Sequence, residues 1–245
     1  IISVRTHDDQ EEVSKLFQKY RLISIPVVDT ENCMVGIVTF DDAMEVYQEE
    51  MAEDIALMAA VQPSDDSYFG TSVFNHAKHR ILWLLFLMLS ATITGTIISR
   101  YEETISAIPL LVSFIPMLMD TGGNCGTQSS TLVIRGIATD EIRFSDLFKV
   151  AFKESRIALI VGAALAAVNG LRIIVMYQDP RLAILLGISL MCTVFLAELI
   201  GCLLPLLAKK VHLDPAIMAA PLITTIVDTC SIIIYFAIAT HLFAL

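Results

Sequence analysis

The sequence predicts a mainly α membrane protein with five transmembrane helices, preceded by a small α/β module and a connecting helix. The 245 residues are 56% hydrophobic and 17% charged, whereas soluble domains carry about 25% charged residues. Residues 1–66 hold fifteen of the twenty-six acidic side chains but only four of the sixteen basic ones. We therefore divide the chain into a cytosolic module (1–52), an acidic connecting helix (53–77) and a membrane domain (78–245).

The N-terminal module has the pattern of a helix followed by a hairpin. Residues 10–20 repeat apolar side chains at helical spacing, which predicts an amphipathic helix. Residues 24–29 and 34–39 are rich in β-branched residues and flank a polar turn, so they predict two strands. A second helix is expected to start directly after them and to end near Met51.

Five apolar stretches follow, each long enough for a bilayer core that needs about 20 residues. The predicted spans are residues 81–99, 104–134, 157–177, 182–208 and 215–245. Three of these spans hold a carboxylate: Asp120, Glu198 and Asp228. A charge at mid-bilayer costs about 2.5–3.5 kcal/mol on the insertion scale, so each carboxylate is a candidate functional residue.

The basic residues predict the orientation of the spans. Nine Lys and Arg side chains fall in alternate loops on one side, against three on the other. The nine-residue side is predicted to be cytosolic, with the N-terminus inside and the C-terminus outside the plasma or inner membrane. The sequence shows no internal repeat, so a symmetric pathway would need two copies of the chain. Further chain is expected upstream, because Ile1–Val4 resembles the interior of a domain.

The excess of acidic over basic residues limits the classes of partner that the protein can bind. A net charge of −10 without a basic patch argues against nucleic acid and favours cations. Nine acidic residues occur between positions 41 and 66 without a Lys or Arg: Asp41, Asp42, Glu45, Glu49, Glu50, Glu53, Asp54, Asp65 and Asp66. Two interpretations stay open, a solvated helix face or a weak divalent-cation site in which the ion relieves the repulsion of crowded carboxylates.

The last span carries a polar stripe around Asp228. Thr224, Thr225, Ser231 and Tyr235 lie at helical spacing from Asp228 in an otherwise aliphatic segment. Such a stripe favours a neighbouring ion or water. The alternative is that the hydroxyls bond to their own helix and that Asp228 pairs with another span.

The second span carries a comparable row, Asp120, Asn124 and Gln128, at four-residue spacing. Pro116 and three glycines lie near it, and they either loosen the backbone beside a cavity or allow close helix packing. Glu198 in the fourth span is equally compatible with an ion ligand and a structural carboxyl group.

These groups suit a hard, hydrated cation. Mg²⁺ takes oxygen ligands and keeps most of its waters, so one Asp228 from each of two subunits would serve it. The sequence has no His/Cys cluster of the kind that softer metals prefer.

Two runs, residues 115–136 and 213–228, resemble the signature segments of the MgtE family of magnesium transporters. Ahead of them, residues 22–42 resemble the second half of a CBS domain, which precedes the membrane part in that family. The order of the domains and the number of spans agree, so the resemblance covers essentially the whole chain.

The resemblance implies a homodimer with a pore at the subunit interface. It implies that Asp228 coordinates hydrated Mg²⁺ with help from backbone oxygens near Ala220 and Thr224, beside Thr225. A connecting helix, roughly residues 53–74, would gate the cytosolic mouth in response to Mg²⁺. The acidic positions assigned to that sensing are Asp54 and Asp214, together with Glu50 and Glu53.

Some members of the family also bind ATP at the CBS pair, which would involve Thr39 and Asp42. We favour the other role for these two residues, capping of the following helix.

Two alternatives belong to other classes. A membrane-anchored sensor without transport would not need the polar stripe. An intramembrane aspartyl protease would pair Asp120 with Asp228 as a shared-proton dyad, but the surrounding Gly-Gly-Asn sequence lacks the contexts of that class.

Overall fold

The computed structural model describes residues 2–64, 67–218 and 220–243, in two compact units. The N-terminal unit comprises Ile1–Ala56 and Gln62–Ser72, and the membrane unit comprises Leu57–Val61 and Val73–Leu245. Asp65 and Asp66, which belong to the acidic run, lie outside the described residues.

The N-terminal unit is a small α/β module. Its elements are β1 (Val4–Arg5), α1 (Gln10–Tyr20), β2 (Ser24–Val28), β3 (Met34–Thr39) and α2 (Phe40–Met58). β2 is the central strand, parallel to β1 and antiparallel to β3. Val4, Phe17, Ile25 and Ala43 form the core between the sheet and the helices. The predicted helix and hairpin are confirmed, whereas β1, two residues long, was too short to give an alternating pattern.

The segment between the units differs from the predicted connecting helix. α2 continues past Met51 to Met58, and the next helix begins only at Val73. Ala60 has a φ of 53°, the left-handed conformation that commonly ends a helix, and Pro63 follows where a proline cannot continue it. In the described part of residues 53–77, the end of α2 and the start of the next helix therefore flank a stretch without regular secondary structure.

The membrane unit consists of helices. They are α3 (Val73–Arg100), α4 (Glu102–Ala107), α5 (Ile115–Ala138), α6 (Leu147–Tyr177), α7 (Pro180–Lys210) and α8 (Ala220–Phe243). Short 3-10 turns precede α5, α6 and α8 at Pro109–Phe114, Phe144–Asp146 and Pro215–Met218.

Four of these helices, α3, α6, α7 and α8, are long and apolar enough to cross a membrane. The prediction of a mainly α membrane protein is thus confirmed. α5 has 24 residues, and at 1.5 Å per residue it is about 36 Å long, enough for a core of about 30 Å. The polar side chains of α5 lower its hydropathy, so the fifth crossing stays a prediction.

The predicted second span, residues 104–134, is broken into α4, a 3-10 turn and α5. Pro109 begins the turn, and Pro116 occupies the first turn of α5. Proline suits that position because the backbone N–H groups there have no helical partner. Pro116 therefore starts α5 instead of loosening it, and the glycines that follow lie within an unbroken helix.

Glycines bring α5 close to its neighbours. A Cβ atom on Gly201 of α7 would overlap the carbonyl oxygen of Gly126 of α5. A Cβ atom on Gly123 would lie 2.9 Å from Cγ2 of Thr224 on α8. Small residues at crossings let membrane helices approach at backbone distance. The packing interpretation of the glycines is confirmed, and α5 is fixed against both α7 and α8.

The outer surface of the unit is apolar. Large aliphatic side chains of α3 and α6 are exposed, among them Leu82, Leu89, Ile160, Val168 and Leu171. On a helix that crosses a bilayer, such a surface faces lipid.

Candidate cation-binding site

α5 and α8 bring two carboxylates to one cavity. The cavity has a volume of about 220 Å³ and is lined by Met119, Asp120, Gly123, Asn124, Thr224 and Asp228. The four-residue spacing places Asp120 and Asn124 on one face of α5, and Thr224 and Asp228 on one face of α8. The sequence predicted each row separately, and the structure shows that the two rows meet.

The cavity suits a hydrated ion. Each water occupies about 30 Å³ of liquid volume, so the six waters of an octahedral Mg²⁺ need roughly 180 Å³. The space of 220 Å³ is therefore large enough for the ion with its waters. Asp120 and Asn124 are exposed and Asp228 is half-buried, so the cavity opens at the surface of the single chain.

The threonines of α8 bond to their own helix. The hydroxyls of Thr224 and Thr225 donate to the carbonyl oxygen of Pro221, at 3.0 and 2.9 Å. Their oxygens can still accept from water. α8 begins at Ala220, whose side chain lies outside the described positions.

Asp228 has no basic partner in the part of the chain that the structure describes. The ion pairs there join Lys15 to Glu11 and Glu12, and Lys149 to Asp146. The expected alternative had Asp228 pairing with another span, and among the described residues no ion pair joins Asp228 to another span. The only other carboxylate at the cavity, Asp120, has the same sign of charge, and this arrangement favours a cation.

The polar stripe on α8 divides after Asp228. Ser231 is fully buried, donates to the carbonyl oxygen of Val227 at 2.7 Å, and packs where α5 presents Gly122. Tyr235 is also fully buried and donates to the carbonyl oxygen of Leu111 at 3.0 Å. Ser231, a candidate for lining the pathway, thus lies outside the cavity in the described chain, because neighbouring helices cover this half of the stripe.

Two further candidates lie outside the cavity. Gln128 is exposed one turn beyond Asn124 on the same face of α5. Glu198 is only 4% exposed, and its side chain bonds to Glu154 of α6 instead of facing the cavity. Of the two interpretations left open for Glu198, its burial by the packing of α7 between α5 and α6 favours the structural carboxyl group. Glu154 was not predicted, since it lies three residues before the expected span.

The acidic run forms a second cavity, within the N-terminal unit. α2 contributes Glu45, Glu49, Glu50 and Glu53 to a space of about 710 Å³. The Gln10 side-chain amide donates to Glu50 at 3.1 Å. Asp54 lies next to Glu53 on α2. Four carboxylates on one cavity are compatible with the predicted weak cation site.

Asp214 lies in the membrane unit, directly before the 3-10 turn that leads to α8. Its carboxylate accepts a hydrogen bond from the backbone N–H of Ala216 at 2.8 Å. This bond holds the start of the turn in place.

Thr39 and Asp42 cap α2. The Thr39 hydroxyl and backbone N–H donate to the Asp42 carboxylate at 2.6 and 3.1 Å. The hydrogen bond from the hydroxyl is the main cause that lowers the pKa of Asp42. Since Asp42 is the third residue of the helix, its carboxylate satisfies the backbone N–H that precedes α2, which is half of a capping box and supports the capping interpretation.

The fold and the cavity define a class: a multi-pass membrane protein with an α/β module ahead of a bundle of apolar helices. Residues 115–238 match the family model of MgtE, described as a divalent cation transporter, and residues 1–49 match that of the CBS domain. The MgtE match covers just over half of the chain. The chain belongs to the MgtE family.

Three relatives, each named magnesium transporter MgtE, match nearly the whole chain. The protein of Thermus thermophilus is 37% identical over 241 residues, 98% of this chain and 53% of the relative. Those of Bacillus subtilis and Enterococcus faecalis are 36% and 33% identical, covering 98% of this chain and 53% and 52% of the relatives. The chain spans about half the length of these relatives.

Proposed function

We propose that this chain forms the membrane part of a magnesium transporter, in which hydrated Mg²⁺ passes the Asp228 cavity at the interface of a homodimer. The supporting observation is that α5 and α8, which carry the two segments characteristic of the family, meet at a cavity lined by Asp120 and Asp228. The names of the three relatives support Mg²⁺ as the transported ion.

The polar face of α5 supports the dimer. Asp120, Asn124, Gln128 and Thr131 are all exposed on that face of a single chain. Against lipid, Asp120 alone would cost about 2.5–3.5 kcal/mol. A second copy would cover this face and place two Asp228 carboxylates on opposite sides of a hydrated route.

The ion would pass with most of its waters retained. Magnesium dehydrates reluctantly and is usually held by one or two carboxylates. Asp228 supplies the charge in this proposal, while Thr224, Thr225 and the backbone oxygens near Ala220 accept hydrogen bonds from the waters of the ion. Asp120 and Asn124 line the entry to this position.

The acidic cavity of α2 supports regulation by the same ion from the cytosol. Glu45, Glu49, Glu50 and Glu53 bring negative charges close together on one cavity, and such crowding favours the binding of a cation. We assign the sensing within the N-terminal unit to this cavity and Asp54, and within the membrane unit to Asp214, with the N-terminal unit cytosolic and the C-terminus outside. ATP has no part in this assignment, because Thr39 and Asp42 are engaged in the cap of α2.

The protease alternative would also need two carboxylates at one cavity. The family match favours the transporter over the protease, because the MgtE family is described as a divalent cation transporter. A transporter without protease activity leaves bound peptides uncleaved, which mass spectrometry of reconstituted samples measures.

The test is uptake of Mg²⁺ into vesicles that contain the full-length protein and a magnesium-sensitive dye. Asp228→Asn keeps the shape of the side chain and removes the charge, so we expect uptake to fall at least about tenfold, or 1.4 kcal/mol. Asp140→Asn is the matched control, because Asp140 lies in an exposed loop and has a φ of 57° that asparagine also adopts. Equal uptake by both variants would contradict the proposal and favour a sensor.

A further inference from the structure

A pair of buried glutamates joins three helices away from the cation cavity. Glu154 of α6 is 7% exposed and Glu198 of α7 is 4% exposed, and their side chains are hydrogen-bonded to each other. The Ser129 hydroxyl of α5 lies 2.8 Å from Oε2 of Glu154 and 3.1 Å from the backbone carbonyl oxygen of Glu198. The three side chains therefore link α5, α6 and α7.

The hydrogen bond between the two carboxyl groups requires a proton. Carboxylate oxygens only accept hydrogen bonds, so one of the two groups must carry a hydrogen. Two negative charges at contact distance in a low-dielectric interior would also repel strongly. Among the described residues, neither glutamate forms an ion pair with Lys or Arg.

A second cavity of the membrane unit connects the pair to solvent. It has a volume of about 380 Å³, lies where α5 ends and α6 begins, and includes Glu154 in its lining. The charged residues around it are Arg135 of α5, Lys149 and Lys153 of α6, and Glu141 of the intervening loop. Three basic groups against one exposed acidic group disfavour a metal cation, whereas water in the cavity can carry a proton.

Two cysteine thiols are the other titratable groups close to the glutamate pair. Cys125 of α5 interacts electrostatically with Glu198, and Cys202 of α7 interacts with both glutamates. Both thiols are buried, Cys125 at 6% and Cys202 at 0% exposed. The titratable groups around the pair are therefore these two thiols and the charged residues of the cavity.

We propose that Glu154 and Glu198 form a proton-binding site that controls how α5 packs against α6 and α7. With the proton bound, the pair and Ser129 hold the three helices together. When the proton leaves to water in the 380 Å³ cavity, the two carboxylates repel, α6 and α7 move apart at this point, and Ser129 of α5 no longer contacts both of them. α5 also carries Asp120 and Asn124, so loss of the proton disturbs the cation cavity and lowers ion uptake as the pH rises.

The site is tested by infrared spectroscopy of the full-length protein in lipid, which does not depend on transport. Wild type is expected to show a protonated-carboxyl band that titrates with pH and is absent from the double variant E154Q/E198Q. The amides preserve shape and hydrogen bonding. Glu141→Gln, in the exposed part of the same cavity, is the control and should keep the band. A band of equal size in wild type and the double variant would overturn the proposal.

The control of transport is tested by uptake in vesicles at a series of matched internal and external pH values, and this arm rests on the proposed function. Wild-type uptake should fall several-fold between neutral and alkaline pH, while E154Q/E198Q should show no such fall. An unchanged pH profile in the double variant would exclude control by the pair. If wild type shows no uptake at any pH, the proposed function fails, and the infrared result still decides the proton site.

A single variant covers the case in which the double variant does not fold. Glu198→Gln donates an N–H to the Glu154 carboxylate, so the pair no longer needs the proton and the band should disappear. Persistence of the band in folded Glu198→Gln would contradict the assignment.

Discussion

The membrane unit contains two pairs of acidic side chains that differ in burial and in hydrogen bonding. Asp120 and Asp228 lie around an open cavity, without a hydrogen bond between them in the described structure. Glu154 and Glu198 are buried, bonded to each other and fixed to a third helix through Ser129. Their burial separates their roles: the exposed pair can attract a hydrated cation, whereas the buried pair, which water reaches beside Glu154, holds a proton and joins helices.

The largest expected difference is in stability. Glu198→Ala removes the partner of a buried carboxyl group and leaves it unsatisfied, so we expect a loss of about 1–3 kcal/mol. Asp228→Ala removes a half-buried group without an ion-pair partner among the described residues, and little loss is expected. Thermal unfolding in detergent with a tryptophan or scattering readout measures both variants.

Glu198→Gln sharpens the same comparison. The amide keeps the volume and can bond to Glu154, so its unfolding temperature should lie close to that of wild type. If Gln and Ala at this position were equally destabilising, the hydrogen bond to Glu154 would not be the source of the effect.

Replacing a glycine that lines the open cavity with alanine should lower uptake more than the same replacement of a glycine that has open space around it. A Cβ atom on Gly123 would lie 2.9 Å from Cγ2 of Thr224, whereas one on Gly170 would meet nothing within 4 Å. Helix propensity favours alanine over glycine by about 1 kcal/mol at both positions. We expect Gly123→Ala to lower Mg²⁺ uptake several-fold and Gly170→Ala to leave it unchanged, as measured in the vesicle assay.

Equal uptake by the two alanine variants would show that the spacing of α5 and α8 does not set the width of the cavity. The unfolding temperature of each variant separates an effect on the cavity from an effect on folding.

The smallest effect concerns the N-terminal unit, where the Asp42 carboxylate is exposed and caps a helix. The hydrogen bond from Thr39 lowers the pKa of Asp42, so the folded state favours the charged form. The contribution to stability is present above the ordinary carboxyl range and is lost as the pH falls through the lowered pKa. Thr39→Ala removes the hydroxyl but keeps the backbone N–H that also donates to Asp42. It should therefore weaken this dependence and slightly lower the helix content, as measured by circular dichroism between neutral and acidic pH.

Several features of the fold could be predicted from the sequence because they depend on local pattern. The amphipathic spacing of α1, the β-rich runs of β2 and β3, and the apolar lengths of α3, α6, α7 and α8 each lie within one segment. The break before α5 was missed, because the apolar run continues on both sides of Pro109 and Pro116.

For the site, too, the sequence predicted the features that lie along one helix but not the contacts between helices. The rows on α5 and α8 were visible as helical spacing, but their meeting depends on Gly123, which permits contact with Thr224. The burial of Ser231 and Glu198 depends on which helix packs on which face, and spacing along one helix does not contain that information. Glu154 could not be predicted as part of a site from the sequence, because its partner Glu198 lies on another helix.

The most direct test of the central claim asks whether Mg²⁺ passes the cavity between Asp120 and Asp228. Asn124→Cys, in a Cys33→Ser background, places an exposed thiol at the cavity, and a charged thiol reagent is applied to vesicles during uptake. The account predicts that labelling blocks uptake and that Mg²⁺ slows labelling. Complete labelling of the thiol with undiminished uptake would contradict it.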